Sequence, residues 1–215
     1  MTFQERLVNL KQKIESGLPT QAKTIMHDAT KALEDTGIEK TILKVGDTAP
    51  EFSLPDQNGN LVHSTALLKK GPLVITFYRG VWCPYCNLDL SNLKRYISDF
   101  EAANATLLSI SPQIARYNSQ IIDRQRLPFD LLSDNANEVA EKFGLRWTMV
   151  DPLKSLYNDQ FKINLPTYNG EDSWTLPMPA RFLIDTDGII KYAEAKADYT
   201  NRPNPDELIE VVKSI

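Results

Sequence analysis

The chain carries two cysteines, and they stand together as Cys83-Pro84-Tyr85-Cys86 within RGVWCPYCN (79–87). Two thiols at this spacing can cycle between dithiol and disulfide, supply half of a metal site, or sit inert in a core. The reactive form of a thiol is its thiolate. Two intervening residues let both sulfurs occupy the first turn of one helix, close enough to bridge. The first then faces the unpaired N–H groups and the positive end of the helix dipole. That setting lowers its pKa from about 8.5 toward about 7 or below. The second cysteine resolves a mixed disulfide or a sulfenic acid formed on the first. Pro84 suits a first helical turn, where an N–H would be unpaired anyway. A structural zinc takes four ligands, and the two histidines, His27 and His63, are remote from the pair. A bridging iron–sulfur cluster would need a second subunit. No metal and no cofactor are expected.

The chemistry depends on the elements that hold the pair. PLVITFY (72–78) is an unbroken β-branched and aromatic run, which predicts a buried central strand. Beyond the cysteines, Leu90, Leu93, Ile97 and Phe100 recur at helical spacing. The pair therefore lies where a buried strand turns into a helix, the context in which C-x-x-C reads as a redox motif. ATLLSIS (105–111) and FDLLSD (129–134) predict further strands, PQIARYNSQIIDRQRL (112–127) and NEVAEKFGL (137–145) predict helices, and ARFLIDTDGIIKYAEA (180–195) predicts two strands around a turn. PDELIEVVKSI (205–215) closes as a helix. Residues 146–178 show weak periodicity and are expected as a long insertion, of the kind that is often functional. Alternating strands and helices predict an α/β sheet with helices on both faces.

Residues 1–42 form a separate expectation. Phe3, Leu7, Leu10 and Ile14 make one apolar stripe. After Gly17-Leu18-Pro19, Thr20 is expected to cap a second helix that covers Ala22, Ile25, Met26, Ala29 and Leu33 and ends near Gly37. Such a helical extension either packs on the main domain or joins two copies of the chain as a homodimer. Of the 215 residues, 42% are hydrophobic and 24% charged, with a net charge of −4. This gives no electrostatic footprint for nucleic acid or for an anionic membrane surface. The N-terminus lacks the apolar core of a secretory leader, and no apolar run approaches the ~20 residues of a membrane helix. A cytoplasmic protein is expected, where a close cysteine pair is catalytic, sensing or metal-binding rather than structural.

Four blocks in order resemble the peroxiredoxin-like (alkyl hydroperoxide reductase/thiol-specific antioxidant) family of the thioredoxin superfamily: GDTAPEFSLPDQNG, LVITFYRGVWCPYCNLDLSNL, FDLLSDNANEVAEKFGL and PARFLIDTDGIIKYA. The resemblance covers about 43–215 and leaves 1–42 outside. It implies a thioredoxin-like fold, a mixed central sheet flanked by helices, with an N-terminal helical extension. It also implies a thiol-dependent peroxidase that reduces hydroperoxides, with thioredoxin, glutaredoxin or glutathione as reductant.

The motif departs from that family's pattern. Peroxiredoxins place the attacking cysteine in P-x-x-x-[TS]-x-x-C; here Arg79 holds the proline position, Cys83 the hydroxyl position and Cys86 the cysteine position. In thioredoxin and glutaredoxin terms the roles reverse, with Cys83 attacking and Cys86 resolving, and CPYC itself is glutaredoxin-like. Pro179 falls where thioredoxins carry a cis-proline beside the motif. Arg181 and Arg79 are the candidates for the arginine that stabilises a peroxiredoxin thiolate, and Tyr78 and Trp82 are expected to pack around the site. The segment 169–174 is expected to shape its mouth. Two other functions stay open at this point: a dithiol–disulfide oxidoreductase, and a non-enzymatic redox-sensing protein.

Overall fold

The computed structural model describes residues 1–215. The chain opens with two helices, α1 (Phe3–Ser16) and α2 (Thr20–Asp35). Thr2 caps α1 by accepting the Glu5 N–H, and the Glu5 carboxylate accepts the Thr2 N–H in return. Thr20 does not cap the second helix but is its first residue. Pro19 stands before it with φ −57° and no side-chain hydrogen bond, so proline geometry sets this start.

A small antiparallel hairpin follows, β1 (Ser53–Pro55) and β2 (Leu61–His63). The Asp56 carboxylate holds its turn by accepting the N–H groups of Asn58 and Asn60. After α3 (Ser64–Leu68) comes β3 (Leu73–Phe77), buried at every residue. Next are α4 (Pro84–Leu93) and α5 (Ile97–Ala102). A 3-10 turn at Lys94–Tyr96 divides what the periodicity reads as one helix. The order continues with β4 (Thr106–Ser111), α6 (Ala115–Gln125), β5 (Asp130–Ser133), α7 (Glu138–Lys142), β6 (Arg146–Thr148), α8 (Asp151–Ser155), α9 (Leu165–Asn169), β7 (Thr175–Pro177), β8 (Ala180–Ile184), β9 (Ile190–Ala195) and α10 (Pro205–Val212).

The central sheet has the order β5-β4-β3-β8-β9. Strands β3, β4 and β5 run parallel, while β8 runs antiparallel to both β3 and β9. The expected mixed sheet flanked by helices is present. Strand β3 lies at its centre with both faces covered, which is why its sequence is continuously apolar rather than alternating. Val74 packs with Phe3, Leu7, Leu90, Leu93 and Leu208 on one side. Leu73, Ile75 and Phe77 pack with Ile110, Val139, Phe143 and Phe182 on the other.

Residues 146–178 are not the irregular stretch their sequence suggests. They hold β6, α8, a π-helical turn (Leu156–Gln160), α9 and β7. None of these exceeds five residues, so no apolar period can repeat within one. Pairing of β6 with β7 closes the segment. Met149, Leu153, Leu156, Tyr157, Leu165 and Leu176 then pack with Ala22 and Met26 of α2 in a third buried cluster. A side chain of this size fully removed from water contributes about 1.5–3 kcal/mol, so α2 and the 146–178 segment order each other. No helix of the chain is long and apolar enough to cross a membrane.

Candidate active site

Strand β3 ends at Phe77, and the chain reaches α4 through Tyr78-Arg79-Gly80-Val81-Trp82. A buried polar network sets this turn. Tyr78 donates its hydroxyl to Asn118 Oδ1 (2.6 Å), Gln113 Nε2 donates to the Tyr78 oxygen (2.9 Å), and Gln113 Oε1 accepts the Val81 N–H (2.8 Å). Burial holds the Tyr78 phenol protonated, so its part is to position the turn. Gly80 has φ +151°, and a Cβ there would lie 2.5 Å from Trp82 Nε1. Only glycine allows the indole to fold back over this turn.

Cys83 is the N-cap of α4, with Pro84 in the first turn, as the motif predicts. Its sulfur accepts the Cys86 N–H (3.4 Å). Cys86 is one turn further in, and its sulfur accepts the Arg79 N–H (3.4 Å) and an N–H from Arg202 Nη2 (3.1 Å). Both thiols are free and buried. Cys83 lines a cavity of about 210 Å³, and Cys86 does not line it.

The two sulfurs ionise unequally. Burial alone would push both thiols up. Against it, the Cys86 thiol donates to Cys83, and the guanidinium groups of Arg79 and Arg202 favour negative charge. Together these bring Cys83 down to about 5. Cys86 is held well above its ordinary value by burial and by the charge and hydrogen bond at Cys83. The pair thus carries one negative charge, placed on the sulfur at the helix N-cap and at the cavity.

Arg79 is fully buried. Its Nη2 donates to the Tyr157 hydroxyl (2.9 Å), and its guanidinium carbon lies 4.1 Å from the Tyr199 ring centroid and 5.0 Å from that of Trp82. Trp82 also meets Tyr157 edge-on, so Trp82 and Tyr78 do pack around the site. Arg181 does not reach either sulfur. Its Nη2 donates to both Asp89 oxygens (2.8 and 3.0 Å) and its Nη1 to the Pro203 carbonyl (3.0 Å). The side chain that does reach a sulfur is Arg202, which no sequence pattern singles out. It lies in the loop before α10, and its Nε is 3.4 Å from Asp89 Oδ2. Pro179 is not a cis-proline, because the chain has no cis peptide bond, and it does not line the cavity. Nor does 169–174 shape the mouth. Asn169 lines a separate hollow with Gln113, Asp134 and Lys142, and Trp174 packs against the third cluster. His27 pairs with Glu15 and His63 with Ser53, both away from the cysteines.

The AhpC/TSA family model matches residues 45–193. The chain belongs to the AhpC/TSA family. Peroxiredoxin Bcp of Escherichia coli K12 is 31% identical over 150 residues, which are 70% of this chain and 84% of that one. The chloroplastic peroxiredoxin Q of Oryza sativa subsp. japonica is 25% identical over 174 residues, 79% of this chain and 67% of that one. Among solved structures, peroxidoxin BcpB from Mycobacterium tuberculosis superposes with a TM-score of 0.64 at 24% identity, covering 80% of this chain and 98% of that one. Peroxiredoxin Q of Xanthomonas campestris gives 0.57 at 19% identity, covering 76% and 90%. These likenesses show a peroxiredoxin-type thioredoxin-like fold, and the family makes this AhpC/TSA protein a thiol-based oxidoreductase. The matched segment includes both cysteines but ends before Tyr199 and Arg202, and it begins after α1 and α2.

Proposed function

We propose that this AhpC/TSA protein reduces hydroperoxides with Cys83 as the attacking thiolate and Cys86 as the resolving thiol. The observation that carries the assignment of roles is that Cys83 is both the N-cap of α4 and the cysteine that lines the cavity. The Cys83 thiolate attacks one peroxide oxygen and the O–O bond breaks. The departing alkoxide takes up a proton from solvent and leaves as the alcohol, and Cys83 becomes a sulfenic acid. The negative charge that raised Cys86 is then gone, while Arg202 remains 3.1 Å from its sulfur. Cys86 now ionises more readily and attacks Cys83 Sγ. The S–O bond breaks, hydroxide leaves as water with the proton lost from Cys86, and a disulfide forms. A dithiol or thiol reductant (thioredoxin, glutaredoxin or glutathione) restores the pair. A reducing compartment such as the cytoplasm suits this cycle. Residues 43–215 carry it, with 1–42 and 146–178 as cover over the cavity.

A second reading is favoured by the same polarity of the pair. A first cysteine on the cavity and a second one behind it also suit a dithiol–disulfide oxidoreductase. The test compares, with one reductant system, turnover of a hydroperoxide against reduction of insulin disulfides. Peroxide consumption should exceed disulfide reduction by at least about tenfold in kcat/KM. The opposite order selects the second reading.

The thiol shift makes a pH prediction. Reactivity follows the thiolate, so it is level above the pKa and falls tenfold per pH unit below it. With Cys83 brought down to about 5, alkylation of the reduced protein by iodoacetamide should be half-maximal near pH 5 and flat above about pH 6.5. An unperturbed thiol would instead keep gaining rate up to about pH 8.5. A rate still climbing between about pH 7 and 9 would exclude the low-pKa thiolate.

A further inference from the structure

We propose that Tyr157 is the general acid of peroxide reduction, giving its hydroxyl proton to the oxygen that leaves when the Cys83 thiolate attacks. This rests on the peroxidase reading and adds a catalytic residue to it. As the S–O bond forms and the O–O bond breaks, the departing oxygen keeps the electron pair of the broken bond and becomes hydroxide or alkoxide. Released as an anion inside the protein, it would be a buried charge, which is costly. The cavity of about 210 Å³ beside Cys83 offers it little water. Ile14, Leu18 and Met26 wall this cavity from the hairpin, and Phe161 and Ile163 wall it from 146–178. Water against an apolar wall lacks the roughly two to four polar partners that hold it. The cysteine turn itself, residues 79–86, contains no serine or threonine.

Tyr157 brings a hydroxyl to this wall. It stands on the π-helical turn Leu156–Gln160, a form that recurs at functional sites. Its ring is set edge-on to Trp82 (centroids 5.7 Å apart) and tilted on Phe161 (5.6 Å). Its oxygen accepts from Arg79 Nη2 at 2.9 Å, so its own O–H is left to donate to what the cavity holds. The same guanidinium favours negative charge on Cys83, and one cation thus serves both the attacking sulfur and the proton donor. Arg79 itself gives up no proton. Tyr85 and Tyr199 also line the cavity, but burial makes both phenols weaker acids, and neither takes a hydrogen bond from Arg79. A hydrogen bond to a phenol oxygen favours its phenolate. After the transfer, the Tyr157 phenolate faces the Arg79 cation, and solvent returns the proton. The proton that leaves with the alcohol is therefore solvent's in the balance, delivered through Tyr157.

The test varies how much the leaving group needs a proton. Hydrogen peroxide releases hydroxide, a strong base, whereas peracetic acid releases acetate, which is stable as the anion at neutral pH. Reduced wild type and Tyr157→Phe are each oxidised by both in single turnover. General acid catalysis is worth about 10²–10⁴-fold, so Tyr157→Phe should react with hydrogen peroxide at least about 100-fold more slowly. With peracetic acid it should stay within about threefold of wild type, because that leaving group needs no acid. Iodoacetamide breaks no O–O bond, so alkylation of Cys83 should keep its rate and its pH midpoint. Unchanged alkylation also reports that the variant is folded with its thiolate in place, and the phenyl ring keeps the contacts with Trp82 and Phe161. A loss shared equally by both oxidants, or by alkylation, would make Tyr157 a positioning residue, and no loss with hydrogen peroxide would remove it from the reaction. Each of these overturns the inference and leaves the peroxidase reading standing. Wild type that reacts with hydrogen peroxide no faster than a small free thiol overturns both.

Discussion

Cys83→Ser is expected to abolish hydroperoxide turnover, with a loss of at least about 10⁴-fold in kcat/KM, the scale seen when an enzyme loses its nucleophile. Cys86→Ser should fail differently. Its Cys83 still sits at the N-cap of α4 and on the cavity, so it should consume about one equivalent of hydroperoxide and stop. Mass spectrometry of that protein should find a sulfenic acid on Cys83, trapped by dimedone, and an added small thiol should restore slow turnover. In Cys83→Ser, Cys86 is fully buried behind the serine, and no rapid sulfenic acid should form. The motif makes this a sharp test, because Cys86 holds the position of the attacking cysteine in the peroxiredoxin pattern. Rapid sulfenic acid on Cys86 in the Cys83→Ser protein would exchange the roles, and the cavity would then not be the peroxide's entry.

The parts of this site that were legible in the sequence are those set by local rules. A continuous β-branched run marks β3, C-x-x-C with Pro84 marks the opening of α4, and an Asp-Thr-Asp-Gly turn marks the β8–β9 pair. The family blocks fall in the same places. What was not legible depends on segments far apart in the chain. Arg202 contacts Cys86 across 116 residues from a Tyr-Thr-Asn-Arg-Pro-Asn loop with no period of its own. Tyr157 reaches Arg79 across 78 residues from a π-helical turn too short to leave a pattern. Arg181 was singled out because its place in the chain is near that of a family arginine. Its side chain turns instead to Asp89, a carboxylate on α4 that nothing in the sequence marks as buried. The hairpin is similar: its apolar stripes show that it packs, but not that Leu18 and Met26 face a cavity over a thiol.

Arg181 also supplies the second large effect. Its guanidinium is buried, and so is the Asp89 carboxylate, both of whose oxygens accept from Arg181 Nη2; Arg202 meets the same carboxylate at Oδ2. Removing one partner of a buried pair leaves the other's charge uncompensated, which costs about 3–5 kcal/mol. Arg181→Met leaves Asp89 facing Arg202 alone, so it should lower the free energy of unfolding by about 3 kcal/mol, the low end of that range. It also strands the Pro203 carbonyl, which accepts from Arg181 Nη1, and this adds to the loss. A domain of ordinary stability, about 5–15 kcal/mol, survives the loss at room temperature, and urea unfolding can measure it. The chemistry should be spared. Arg181 touches neither sulfur, whereas Arg202 and the N-cap of α4 do. The iodoacetamide pH profile of folded Arg181→Met should keep its midpoint near that of wild type. A fall in stability with an unmoved midpoint identifies Arg181 as a strut between β8 and α4. A midpoint raised by a full pH unit, with stability intact, would instead return Arg181 to the role of thiolate partner. The distinction is physical: a charge that stabilises a thiolate is read by titration, and a charge that holds two elements together is read by unfolding.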